Sequence, residues 1–154
     1  MSDVEVSRII AASPEQLYAL FSDLPRMGEW SPENDGGKWL NGATGPTVGA
    51  KFKGKNHSGW RRWNTIATVV TADPGREFAF DVTAAGMTVA RWGYRLAAAE
   101  GGTEVTEYWS DHRSPLIGKI TGVAVGARDR HTHNRAGMEV TLERLAAAVP
   151  TPTV

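Results

Sequence analysis

Val105, Glu107, Trp109 and Asp111 fall at every second position of one run. An extended strand puts such residues on a single face, so a buried Val105 would carry both acids toward the covered side. An ionised carboxylate is costly there without a partner, and groups held that way orient a ligand or move protons. Glu107 and Asp111 are therefore candidate catalytic residues, and Glu107 is also a candidate ligand contact. Four residues of strand separate them by about 13 Å, wider than the roughly 5 to 9.5 Å of paired glycosidase carboxylates. They are not a dyad on their own. The plainer alternative is a carboxylate at the sheet rim paired with Arg91, Arg95 or Arg113, and for Asp111 that alternative is preferred.

His131-Thr132-His133 has the look of a metal motif, but residues two apart on a helix point about 200° away from each other. Only His131 falls on the apolar stripe that continues through Met138. It either faces a cavity opposite Glu107, as a third candidate catalytic residue, or takes a capping or solvent position. There are no cysteines and no His-Glu-x-x-His, so no metal site and no cofactor is expected. A Gly-x-Ser-x-Gly elbow is missing too. Residues 49–56 nearly spell a P-loop, yet Asn56 stands where a magnesium-binding hydroxyl belongs. Lys51, Lys53 and Lys55 alternate there as the outer face of a strand. With Arg61 and Arg62 they make a basic patch, ordinarily a solvated face and less often a contact for an anionic surface.

The chain holds six tryptophans, at 30, 39, 60, 63, 92 and 109. Large aromatics with one polar atom suit an apolar pocket that offers a few hydrogen bonds, or simply fill a core. Strand parity sorts them. If Leu96 faces inward, so do Trp92 and Tyr94; if Val69 does, so does Trp63, although Val70 supports the opposite register. The candidate ligand-binding set is Trp63, Trp92, Tyr94, Glu107, Trp109, His131 and Met138.

The elements that would carry these residues are legible. Val4, Val6 and Ile9 suggest a first strand. Ser13-Pro14-Glu15-Gln16 reads as a capping box opening a helix over about 14–23, with Leu17, Leu20, Phe21 and Leu24 at helical spacing. Residues 26–30 suggest a short helical turn. From 36 to 113, alternating runs are separated by turn signals such as Asn41-Gly42, Ser58-Gly59 and Asp73-Pro74-Gly75, which implies antiparallel strands with one covered face. Met138, Leu142, Leu145 and Val149 then mark a long amphipathic helix firm from about Arg128. Upstream, Gly118, Gly122 and Gly126 each cost about 1 kcal/mol relative to alanine in a helix, so residues 115–127 are expected to form a mobile lid, the alternative being a rigid helix that the three glycines let pack closely on the sheet or a second subunit.

The chain has 154 residues and equal numbers of basic and acidic side chains, 17 of each. That balance argues against a nucleic-acid partner. No apolar run reaches the roughly 20 residues of a membrane span, and the N-terminus lacks the pattern of a signal peptide, so a cytoplasmic location is expected. One domain over 1–149 with a tail at 150–154 is expected, as a monomer or homodimer. Strands segregated from helices make an α+β domain.

That order and several landmarks resemble the START/polyketide-cyclase/birch-pollen-allergen (SRPBCC) superfamily, and more narrowly its polyketide cyclase/dehydrase-like branch. The landmarks are the strand running into Ala12-Ser13-Pro14-Glu15-Gln16, residues 25–32 (PRMGEWSP), 45–52 (GPTVGAKF), 73–80 (DPGREFAF), 92–96 (WGYRL) and 102–106 (GTEVT). The resemblance covers nearly the whole chain. It implies a helix-grip fold, a curved antiparallel sheet of six to seven strands around a long C-terminal helix, with two short helices after the first strand. It implies a cavity for a small hydrophobic molecule, lipid-like or polyketide-like, in a carrier or sensor role. It does not choose among carriers, cyclase/dehydratase-type enzymes and protein-interaction regulators with a vestigial cavity, and it transfers no catalytic residue.

Overall fold

The computed structural model describes residues 2–112 and 127–149, so the lid expected at 115–127 (but for Ala127) and the tail at 150–154 lie outside the described residues. Strand β1 (Val4–Ile10) leads into helix α1 (Pro14–Phe21), whose capping box is formed as expected. The Gln16 backbone N–H donates to Ser13 Oγ at 3.2 Å, and the Ser13 N–H donates to Gln16 Oε1 at 3.0 Å. A 3-10 helix over Leu24–Glu29 follows, and Leu17, Phe21, Leu24 and Trp30 are all buried beneath the sheet.

Six further strands then run in sequence: β2 (Asn34–Trp39), β3 (Lys51–Ser58), β4 (Arg61–Asp73), β5 (Glu77–Ala84), β6 (Met87–Ala99) and β7 (Gly102–Asp111). They form one antiparallel sheet in the order β1-β7-β6-β5-β4-β3-β2. Chain neighbours pair as hairpins, and the one long-range pairing joins β1 to β7, with Val6 opposite Glu107. The sheet is curved and grips helix α2 (Ala127–Ala148), which packs against β1, β7 and α1. This is the expected helix-grip architecture.

Strand pairing decides two local ambiguities of the sequence. In β1 the buried residues are Val4 and Ile10, whereas Ile9 is 53% exposed. Pairing with β7 fixes this parity, because directly opposed residues share a face and Ile10 lies opposite Thr103. In β4, Val69 and Val70 pulled the register in opposite directions. A β-bulge resolves the conflict: Val69 pairs with Phe80 and Thr71 with Ala79, leaving Val70 as the extra residue. Positions 63, 65, 67 and 69 therefore all face inward.

On the convex face Tyr108 lies across Gly93, its cross-strand partner, and a Cβ on Gly93 would come 2.2 Å from the ring. The Tyr108 hydroxyl donates to Glu77 Oε2 at 2.5 Å, and Arg95 stacks over the ring while bonding Glu5. This packing ties β1, β5, β6 and β7 together behind the residues that face the helix. The β5–β6 hairpin turns through Ala85 (φ 51) and Gly86 (φ 79), so an alanine occupies a left-handed position. Ala85→Gly is expected to stabilise the fold by about 0.5–1 kcal/mol, read as a higher midpoint in urea unfolding, since the strain relieved exceeds the extra chain entropy. An unchanged or lower midpoint would refute this.

Candidate functional site

Inward parity on five strands, closed by α2, leaves a cavity of about 650 Å3. Its wall is mostly apolar. Trp92 and Trp109 form one side with ring centroids 6.3 Å apart, and Phe52, Phe80 and Val82 contribute further aromatic and aliphatic surface. Of the candidates from sequence, Trp63, Trp92, Tyr94, Glu107, Trp109 and Met138 all line this one space.

Glu107 is the chemically distinctive member. Its side chain is 3% exposed, deep in the wall. The Tyr94 hydroxyl donates to Glu107 Oε1 at 3.3 Å, and the Tyr94 ring is in turn fixed by stacking on Phe21, 4.5 Å away and nearly parallel. Among the described residues, Glu107 Oε2 is the buried side-chain atom that has no hydrogen-bond partner. Burial pushes the Glu107 carboxyl well above the usual carboxylate range, and the single Tyr94 bond opposes this only in part. Burial first, then the neighbouring Glu107, push the Tyr94 phenol up as well. Both shifts favour the protonated, neutral forms. With the Tyr94 hydroxyl committed to Oε1, the group left to bond into the cavity is Glu107 Oε2, and burial makes neither member a ready base.

Asp111 and His131 stand elsewhere. The Asp111 carboxylate is at the rim, 4.0 Å from Arg130 on α2. Arg91 is taken by Asp81, and Arg95 by Glu5. His131 is on the buried stripe of α2, as its spacing required, but does not line the cavity. The stripe packs toward β1 and β7, with His131 edge-on to Trp109 at 5.4 Å. The cavity lies about a quarter turn round the helix, where Arg130, His133, Asn134, Gly137 and Thr141 face it. His133, expected to point away, instead reaches the mouth and pairs with Glu33.

Sequence reasoning missed the polar strip of Asn34, Asn56 and Thr65 and the open floor at Gly54. Asn56 Nδ2 donates to Thr65 Oγ1 at 3.0 Å. The signal was available: a basic outer face at Lys51, Lys53 and Lys55 obliges Phe52, Gly54 and Asn56 to face inward. Gly54 is not in a left-handed conformation, and a Cβ there would make only ordinary contacts, 3.6 Å or more away. Its missing side chain contributes space rather than backbone freedom.

Residues 1–150 match the family described as "Polyketide cyclase / dehydrase and lipid transport". The chain belongs to this family. Among solved structures it is similar to the Polyketide_cyc-like protein Cgl2372 of Corynebacterium glutamicum, with 33% identity, a TM-score of 0.60, and coverage of 94% of this chain and 86% of that one. Two more distant structures share the fold. The di-domain ARO/CYC StfQ of the steffimycin biosynthetic pathway has 14% identity and a TM-score of 0.72, over 94% of this chain and 49% of that one. Ara h 8.0201 has 12% identity and a TM-score of 0.70 over 94% of each chain. No curated protein matches the sequence. This polyketide-cyclase-like chain thus falls in the superfamily that its landmarks resembled. Among its described residues, no helix is long and apolar enough to cross a membrane, and no cluster of three or more metal-ligating side chains occurs.

Proposed function

We propose that the protein holds one small, largely apolar molecule in this cavity as a carrier or sensor, oriented by a hydrogen bond from the neutral carboxyl of Glu107. The observation that carries this reading is the unpartnered Glu107 Oε2 in the wall of a roomy cavity. A buried polar atom without a partner is costly, and a ligand acceptor placed against it removes that cost. The volume of about 650 Å3 is within the roughly 300–1,000 Å3 of small-molecule pockets. The chemistry asked of the ligand is an extended hydrocarbon or aromatic body bearing a carbonyl, ether or hydroxyl oxygen. The family's description and the ARO/CYC relative are compatible with lipid-like and polyketide-like bodies.

A cyclase/dehydratase activity is favoured by one feature, the Glu107–Tyr94 pair, which puts two proton-bearing groups at one point of the cavity. Proton abstraction needs a base as well, and burial disfavours the charged form of both groups, so holding a ligand accounts for the site better than turning it over.

Organic extraction and native mass spectrometry of the purified protein test the proposal, with anilinonaphthalene sulfonate as a probe of the emptied cavity. The expected result is one co-purifying apolar oxygen-bearing molecule per chain, and saturable dye binding that this extract displaces. No extractable molecule together with no saturable dye binding would mean a vestigial cavity.

A further inference from the structure

The β3–β4 hairpin ends in a two-residue turn, Gly59-Trp60, with Gly59 at φ 60, as such tight turns require. Trp60 at its tip is 86% exposed, which places most of an indole in water, with the Arg61 guanidinium 5.8 Å from the ring centroid. Two more exposed apolar side chains lie at the same end of the sheet. Trp63 is 40% exposed while also lining the cavity, and Met87 is 48% exposed. Ile66 pairs with Thr83, so Trp63, three residues earlier, is level with the β5–β6 turn that Met87 follows.

Cations line the outward face of the hairpin behind this tip. Lys53, Lys55 and Arg62 face outward on β3 and β4, next to Arg61, and Asp35 is the carboxylate that bonds into this set, through His57 and Arg62. In a chain of zero formal net charge, this is segregation rather than general basicity.

We infer that this end of the sheet docks on an anionic membrane surface, with Trp60 seated at the headgroup level and the neighbouring lysines and arginines against lipid phosphates. Indoles favour the membrane–water interface, and basic side chains near an anionic leaflet add attraction that salt screens. A protruding hairpin tip needs no complementary groove when the partner surface is fluid, which favours a bilayer over a folded protein. Trp63 joins the docked surface to the cavity, so an apolar molecule could pass between lipid and protein without crossing open water.

Co-sedimentation of the full chain with sucrose-loaded vesicles tests this, comparing phosphatidylcholine alone with phosphatidylcholine mixed with phosphatidylserine. Binding is expected to the mixed vesicles and to fall as salt rises. Trp60→Ser should weaken it about tenfold or more. Arg61→Gln and Arg62→Gln should each weaken it about fivefold. Dye binding in the cavity should survive Trp60→Ser, so failure of docking is distinguishable from failure of the ligand reading. The inference is overturned if the mixed vesicles do not bind the protein at low salt, or if Trp60→Ser binds them as the parent does. It is equally overturned if Trp60→Ser instead dissolves a dimer, or if single-stranded RNA displaces the protein from the vesicles.

Discussion

A Glu107→Gln variant is expected to gain stability at neutral pH and to lose that gain on acidification. Burial raises the folded-state pKa of Glu107 above its unfolded value. Below the ordinary carboxyl range both states are protonated and the acid costs nothing extra. As pH climbs through that range, the unfolded chain releases a proton that the folded chain retains. Folding stability then drops by about 1.4 kcal/mol per pH unit until the folded-state value is reached. Glutamine keeps the shape and the acceptor for Tyr94 but does not titrate. Urea unfolding of both proteins should therefore diverge with that slope above about pH 5 and converge below about pH 4. A stability difference that is flat across this range would show that Glu107 is not held neutral. A ligand that stabilises the parent more than Glu107→Leu would tie the retained proton to binding.

The second large effect is expected at Gly54. A Cβ there would meet side-chain atoms of Thr65, Asn34 and Phe52 at 3.6–3.8 Å, and Gly54 itself lines the cavity, so a leucine is expected to fill part of it. Gly54→Leu should lower affinity for anilinonaphthalene sulfonate by about a hundredfold, equivalent to about 2.7 kcal/mol. Stability should hold or rise by about 0.5–1 kcal/mol, because glycine is a poor strand residue. The combination matters more than either number: lost binding with intact stability places the ligand in the cavity. Undiminished dye binding would place it elsewhere.

The fold was legible because its signals were periodic and local. The capping box at Ser13 and the four-three-four step of Met138, Leu142, Leu145 and Val149 each state one geometry, and Met138, Leu142 and Leu145 are indeed buried. Parity on β6 and β7 brought Trp92, Tyr94, Glu107 and Trp109 to one surface for the same reason. What sequence could not supply was the direction of the cavity from the helix. Helical spacing identifies a buried stripe, but part of a stripe can bury itself against the sheet, as His131 does against Trp109 on β7, while the open space lies mostly to one side. Bulges were equally hidden. The extra residue at Val70 arises from how β4 pairs with β5, and a single strand carries no record of its partner's register.

Trp92 and Trp109 lie 6.3 Å apart with their planes inclined at 47°. Two indoles this close and not parallel are expected to couple their electronic excitations, and the protein holds the pair in one fixed, handed frame. The cavity wall therefore carries an optical label of its own, a paired positive and negative circular-dichroism band whose strength depends on the mutual angle of the two rings. A molecule that wedges one indole aside alters that band, whereas Trp60, solitary at the hairpin tip, contributes nothing to it. The occupant of the cavity can thus be followed by light absorbed in its own wall, without a dye, while the same chain sits in free solution.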